Sequence, residues 1–467
     1  MRDLSPDRND NLAPEGTNRR AFLKTSIQAS LAAGLWVAGG CATAPRPSLP
    51  NVLLITLDTT RFDRLSCYGY TLPTSPNLDA LAEQSVFYTR AYSTSSWTLP
   101  AHASLFTGKL VSSHGVQKDP SGPLRLSSVF SGHMDWDKVR ARGLSTDETT
   151  LAQLLKQAGY DTGAVVAGPW MKKIFGLNKG FDFYDDDGIE KLNGRSGAEV
   201  TKAAVKWLRA RDASNPFFLF LNYFDPHHPY ILSRKDASVF MPTDRSYSET
   251  EKADRLYAAE IRFMDQQIGL LMDRLKRTGQ FDNTMIVITA DHGELMGEHG
   301  KTAEHGHTLY EPEIRIPQFV KYPAGEVAQS VVDTRTQLVD IMPLILERID
   351  VPTPSGIQGT LPGQGLHPLV VEVYPLELFS DKGNFQAILE DKYKFVRNSK
   401  GNHALFNLDD DPGEMKNLLH EDSARADALK SKLITRLAAL PKPGRAGPEQ
   451  EVGEELQETL ESMGYLE

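Results

Sequence analysis

Residues 51–58, NVLLITLD, form an unbroken apolar run that stops on a carboxylate. A strand with one wet face alternates polar and apolar residues, whereas a run apolar throughout is buried on both faces, as in a parallel sheet covered by helices. The same design recurs in NPFFLFLNYFDPHHPY (Asn215 to Tyr230), which delivers DPHHP, and in NTMIVITADHGE (Asn283 to Glu294), which delivers DHGE. Helical segments fall between the runs, at Asn77 to Glu83, Thr149 to Ala158, Gly197 to Arg211 and Tyr257 to Lys276. In the last of these, Ile261, Met264, Ile268, Leu271 and Leu275 line one face, the pattern of a core helix. Alternation of strand and helix predicts an α/β fold, a doubly wound and mostly parallel sheet flanked by helices. In such sheets ligands bind beyond the carboxyl ends of the strands, where all three polar clusters fall.

After about Pro352 the pattern changes. VVEVYPLELF, FQAILED and YKFVRN read as short strands with turns, predicting a smaller antiparallel sheet. A polar helix follows from about Ser423 to Leu440, then the linker PKPGRAGPEQ and a terminal helix with Leu456, Leu460 and Met463 on one side. The expected organisation is an export signal and linker over 1–48, a catalytic α/β domain over 49–350 and a C-terminal subdomain over 351–467. An apolar content of 40% in 467 residues is enough for a large core.

The amino terminus joins Arg19 and Arg20 to a short apolar run that ends at Cys41. That run is too short and too rich in small residues for a spanning helix of roughly 20 residues. It resembles a twin-arginine export signal, and AGGC is a loose match to a lipoprotein cleavage box. The expectation is a periplasmic or cell-envelope lipoprotein held to the membrane through a lipid on Cys41. The second of the two cysteines, Cys67, is then left alone, so no intramolecular disulfide forms and Cys67 reads as a small buried residue. A formal charge of −10 with no basic stripe excludes nucleic acid as a partner.

Asp58, Thr98, Asp291 and His292 are oxygen and nitrogen donors that this topology gathers at strand ends. Two carboxylates, an imidazole and a hydroxyl suit one divalent cation (Ca, Mn, Zn or Mg), and no cysteine-rich site competes. A bound metal would lower the pKa of the Thr98 hydroxyl, turning it into a nucleophile for sulfur or phosphorus. Thr98 also reads as a helix N-cap with Pro100 in the first turn, where free N–H groups and the helix dipole favour an anion. His227 and His228 follow the second strand, and His299, His305 and His307 the third. An imidazole there can hold an oxyanion or protonate a leaving oxygen, and His227 and His307 are the favoured candidates, with His102 a third.

LITLDTTRFDRLSCYGY, SWTLPAHASLFTG, SSHGV, FDPHHPY, ITADHGELMGEHG, HTLYEPEIRIP and NLDDDPGEMKNL together resemble, in this order, the sulfatase family of the alkaline phosphatase superfamily. The resemblance implies metal ligands at Asp58, Asp291 and His292, a nucleophile at Thr98 and a histidine near the leaving group at His227. It also implies an anionic small-molecule, glycan or lipid ester as substrate. Three positions depart from the family pattern. Its members usually carry cysteine or serine where Thr98 stands, oxidised to formylglycine, and threonine cannot give that aldehyde because its secondary alcohol oxidises to a ketone. His102 replaces the usual arginine, and Thr59 replaces a second aspartate. Threonine nucleophiles are familiar in relatives that handle phosphodiesters or transfer phosphoethanolamine. The expectation is a metal-dependent hydrolase that favours phosphoryl-type over sulfate esters. The alternatives are a phosphoethanolamine-type transferase and a lipid-anchored binding protein without turnover.

Overall fold

In the computed structural model, the described residues are 49–444, apart from 120–121, 126–139, 190–193, 231–235, 243–244, 324–325, 363, 365–367 and 376–380. The export signal (Arg19, Arg20, Cys41) and the terminal helix carrying Leu456, Leu460 and Met463 lie outside them.

The first apolar run becomes strand β1 (Asn51–Leu57), buried along its whole length. Helix α1 (Pro76–Ala82), β2 (Val86–Tyr92) and α2 (Thr98–Thr107) follow. Next come α3 (Leu151–Gln157), β3 (Asp161–Val165), β4 (Phe183–Asp185), α4 (Gly197–Ala210) and β5 (Phe217–Tyr223). Then α5 (Glu249–Arg277), β6 (Thr284–Thr289), β7 (Arg315–Lys321), β8 (Ser330–Val332) and α6 (Ile341–Arg348) complete the α/β part. The strands lie in the order β8-β2-β7-β6-β1-β5-β3-β4, and Thr336–Gln337 pairs with β2 as the ninth. All pairings are parallel except those of β7, which runs antiparallel to both β2 and β6.

The register of the three apolar strands places the chemistry. Thr56 pairs with Asn222 of β5 and with Thr289 of β6. Two residues further along each chain stand Asp58, Phe224 and Asp291, so these leave the sheet at one level. Because β1, β5 and β6 are parallel, that level is the carboxyl end of all three.

Helix α5 starts eight residues before the expected Tyr257. Ser248 caps it by accepting from the Glu251 amide at 3.2 Å while the Glu251 carboxylate returns to the Ser248 amide at 2.9 Å. This reciprocal cap satisfies donors that would otherwise be exposed at the first turn. The anticipated apolar face, Ile261 to Leu275, is buried as expected.

The carboxyl-terminal sheet contains β9 (Leu369–Val373), β10 (Phe385–Glu390), β11 (Tyr393–Asn398) and β12 (Ala404–Asn407), all antiparallel, and α7 (Ser423–Ala438) follows. Alternation gives the sheet two apolar faces. Val370, Ile388, Phe395 and Leu405 pack on Leu429 and Leu433 of α7, whereas Leu369, Val371, Leu389 and Phe406 pack towards Tyr92, Leu309 and Ile314. Cys67 is a free, half-buried thiol packed against the main core. No helix among the described residues is long and apolar enough to cross a membrane.

Candidate active site

Asp58, Asp291 and His292 are fully buried, and each offers a ligand atom within 4.8 Å of the others. One oxygen of each carboxylate is engaged: Asp58 Oδ2 accepts from Asn222 Nδ2 at 3.2 Å, and Asp291 Oδ1 accepts from the Thr59 and His292 amides at 3.2 and 2.8 Å. The other oxygens, Asp58 Oδ1 and Asp291 Oδ2, have no hydrogen-bond partner among the described residues. A buried carboxylate oxygen without a partner is costly, and a hard or borderline divalent cation is the group that would satisfy two of them at once. Burial raises the pKa of both acids, and for Asp58 the neighbouring Asp291 charge adds to it. The donor set therefore fits a divalent metal.

Thr98 is the first residue of α2, and Trp97 rather than Thr98 occupies the N-cap position. This corrects the reading of Thr98 as a cap. Its hydroxyl is not spent on the helix end and instead meets His292 Nε2 at 3.2 Å. His292 Nδ1 donates to the Gly293 carbonyl at 2.9 Å, so Nε2 holds the lone pair and the threonine O–H donates to it. Burial pushes the His292 pKa down to about 3, so the ring is neutral. The same lone pair would coordinate a cation, so the threonine proton and a metal compete for it.

Thr59, where the family pattern has a second aspartate, contributes an amide to Asp291 and turns its hydroxyl back onto the Asp58 carbonyl at 2.8 Å. It does so at φ 52°, an unusual conformation for a β-branched residue.

The histidines are placed differently from one another. His227 is half-buried, with Nδ1 donating to the His228 carbonyl at 2.5 Å and its ring stacked on Phe224 at 4.3 Å and 5.0 Å from the His305 ring. Burial holds its pKa well below the usual imidazole value. His102 is fully buried, with Nε2 on Thr56 Oγ1 and Nδ1 on the Thr98 carbonyl, both at 2.9 Å. Both nitrogens are occupied by protein, so His102 braces α2 against β1 instead of reaching a substrate. That corrects the expectation for this residue. His307 is engaged within its own loop, Nε2 lying 2.9 Å from Glu304 and 3.0 Å from Lys301. Burial, then the nearby lysines Lys382 and Lys301, bring its pKa down to about 4.

His305, two positions earlier, is the histidine of that loop that enters the cluster, 4.7 Å from the His292 ring. Its Nδ1 is 3.0 Å from Glu294 Oε1, and Tyr230 donates to Glu294 Oε2 at 2.7 Å. Burial opposes charge on His305, but the hydrogen bond and charge of Glu294 outweigh it and lift the ring's pKa. Sequence reasoning passed over Glu294, although it stands two residues beyond His292 in DHGE. A cavity of about 550 Å³ lined by Arg90, Arg335 and Lys392 lies elsewhere and includes none of the strand-end residues.

A largely parallel sheet flanked by helices, with this cluster at its strand ends, gives the molecule an alkaline-phosphatase-like fold. Residues 50–351 match the family model described as Sulfatase, and residues 297–442 the model described as the C-terminal part of N-sulphoglucosamine sulphohydrolase. The chain belongs to the sulfatase family and, like its sulfatase relatives, is a hydrolase. It is 27% identical to the sulfatase YidJ of Escherichia coli K12, across 82% of this chain and 85% of that protein. Its fold resembles that of BT4656, solved in complex with its substrate D-glucosamine-2-N,6-O-disulfate, with a TM-score of 0.71 at 18% identity over 84% of this chain and 98% of the other. It also resembles the phosphonate monoester hydrolase of Agrobacterium radiobacter, with a TM-score of 0.65 at 20% identity over 84% and 95%.

Proposed function

We propose that the chain hydrolyses anionic phosphodiesters or phosphonate monoesters in preference to sulfate monoesters, with Thr98 as the nucleophile. The observation that carries this reading is the Thr98 hydroxyl 3.2 Å from His292 Nε2, in a cluster with two unpartnered carboxylate oxygens. Asp58, Asp291 and His292 would hold a divalent cation, with Thr98 as a further ligand, and its charge would lower the pKa of the Thr98 hydroxyl. Thr98 would give up its proton to solvent as the cation binds, and its Oγ1 would bond to phosphorus as the bond to the leaving oxygen breaks. His227, taking up a proton on the Nε2 left open by its Nδ1 bond to the His228 carbonyl, would pass that proton to the leaving oxygen. The transferred group remains as an ester on Thr98. A formylglycine hydrate can expel sulfate by deprotonating its second hydroxyl, but threonine has no second hydroxyl. The Thr98 ester is cleared only by water attacking the central atom, which is familiar chemistry at phosphorus and less favourable at sulfur.

The test is a matched series of aryl phosphonates, phosphodiesters and sulfates, run after peptide mass has verified an unmodified Thr98. We expect kcat/KM to be highest for the phosphoryl-type esters and Thr98→Ala to be inactive on all of them. A clear sulfate preference overturns the substrate class, and turnover by Thr98→Ala overturns the nucleophile. Full activity after removal of divalent metal would leave His292 as a general base to Thr98 and not as a ligand. In the same series His227→Ala should lose about 10²–10⁴-fold on poor leaving groups and far less on activated ones. Equal losses would remove it from proton transfer.

We also propose export by the twin-arginine route and a lipid on Cys41, supported by Arg19-Arg20 and AGGC. Cys41→Ala should move the protein from membrane to soluble fractions, and unchanged fractionation would end the lipoprotein reading.

A further inference from the structure

Three arginines gather where the edge of the large sheet meets the loop after β12. Arg90 and Tyr92 stand two residues apart on β2, so their side chains share one face. Arg315 of β7 pairs with Tyr92, and Thr336 pairs with Ala91 from the other side, which brings Arg315 and Arg335 to that same face. All three line a cavity of about 300 Å³ that is closed by Leu408, Asp409 and Pro412. Arg90, Arg335 and Asp409 also line the cavity of about 550 Å³, so the two adjoin, and no strand-end residue of the catalytic cluster lines either. The charges here do not cancel. Arg61 pairs with Asp63 and with Glu298 at 2.7 Å each, Arg90 pairs with Asp333 at 2.6 Å, and Glu311 is spent on Lys394 and Tyr92. Arg315 donates to the Thr89 carbonyl at 2.9 Å and lies 4.1 Å over the Phe62 ring. Arg335 donates to the Asp391 carbonyl and lies 6.0 Å over the Tyr92 ring. Both are half-buried, and among the described residues neither forms an ion pair, whereas Arg195 and Arg348, similarly shielded, pair with Asp185 and Glu326. Asp409 is exposed at the rim and likewise forms no ion pair among the described residues.

We propose that this cavity is a second anion site, separate from the strand-end cluster, in which Arg315 and Arg335 bind an oxyanion. A guanidinium held partly out of water without a counter-charge is costly, and an oxyanion is the group that offsets it. Arginine suits that task because its planar donors match the oxygens of phosphate, sulfate or carboxylate. Phe62 and Tyr92 hold the two guanidinium groups by their ring faces, an attraction that uses none of the N–H donors. The ligand is an oxyanion, free or carried by a larger molecule whose remainder would lie in the adjoining cavity, a volume ordinary for a small-molecule site. The site is independent of the identity of the nucleophile.

Calorimetric titration of the intact, metal-loaded protein tests this with two probes that carry no ester bond, inorganic phosphate and phenylphosphonate. Arg335→Gln and Arg315→Gln should each weaken one class of binding by about 10–100-fold and leave any binding at the strand ends as it was. Arg335→Lys, which keeps the charge and loses the planar donors, should weaken it less. Asp409→Asn, at an exposed position where folding is not at stake, should tighten it by about 2–5-fold because a repelling charge at the rim is gone. Phenylphosphonate bound at least as tightly as phosphate identifies a larger anionic ligand, and phosphate bound alone identifies the free ion. If neither isotherm responds to Arg335→Gln, or if Asp409→Asn leaves both unchanged, the site is overturned. Turnover of whichever small aryl ester the parent cleaves best should be unaffected by Arg335→Gln. A loss of kcat/KM as large as the loss of binding would place Arg335 in the active site and overturn the second site.

Discussion

Beneath the carboxyl-terminal sheet, the fully buried Lys394 meets Glu311 at 3.0 Å and Glu414 at 2.5 Å. At the ends of the central strands, Asp58 and Asp291 are just as buried, yet among the described residues neither pairs with a lysine or arginine. Lys394 also donates to the Leu309 carbonyl at 2.9 Å, and Tyr92 donates to Glu311 at 3.0 Å, so the first cluster supplies its own cation and bonds around it. Among the described residues the second keeps two carboxylate oxygens without a hydrogen-bond partner. A buried charge is tolerated when paired and hydrogen-bonded, and is expensive otherwise. The first arrangement joins β11 to the loops around Glu311 and Glu414, and the second has the form of a site awaiting a cation from outside the chain. Burial alone does not separate a structural ion cluster from a functional one. The source of the compensating charge does.

The comparison is broken most severely at Asp58. Asp58→Asn should lower kcat/KM at least about 10³-fold and lose the metal, measured by elemental analysis. The metal-free variant should melt no lower than the metal-free parent, because one of two mutually repelling carboxylates is gone. A clearly lower melting temperature would make Asp58 a structural residue like Lys394. Next in size is Lys394→Met, which leaves Glu311 and Glu414 buried without their cation. It should lose about 3–5 kcal/mol in denaturant unfolding, while kcat per folded molecule is unchanged. A selective loss of turnover would show that the two clusters are coupled. The smallest effect is stabilisation by metal. At a hundredfold excess over Kd a divalent ion should add about 2.7 kcal/mol to the parent and nothing to Asp58→Asn. An equal gain in both would place the ion elsewhere.

Much of this is legible in the sequence. β1, β5 and β6 are read from their continuous apolar runs, and the clusters DPHHP and DHGE from what those runs deliver, because burial on both faces acts on neighbouring residues and leaves a local mark. The antiparallel β7 was not read, since RIPQFVK carries a proline and mixed polarity and its direction depends on which strands it meets. Histidine roles were legible only as a group. Between Gly297 and Gly306 the loop takes left-handed conformations at Gly297, His299, Gly300, Ala303 and Gly306. Each such residue redirects the chain, so counting along it points to His307 as readily as to His305. His102 lies one turn after Thr98 on α2, where sequence spacing cannot tell a ring facing the substrate from one facing Thr56.

The sequence by itself determined the α/β class, the family, the strand ends as the place of the chemistry and the departures at Thr98, His102 and Thr59. These rest on residue type and on periodicity, which are properties of short stretches. Tertiary structure alone decided that Thr98 meets His292, that His305 joins Glu294 and Tyr230, that His102 faces inward and that Lys394 closes a cluster of its own. Each of these joins at least one pair of groups whose separation and direction are set by how strands, helices and turns pack, and no local pattern encodes the angle at which two distant side chains arrive.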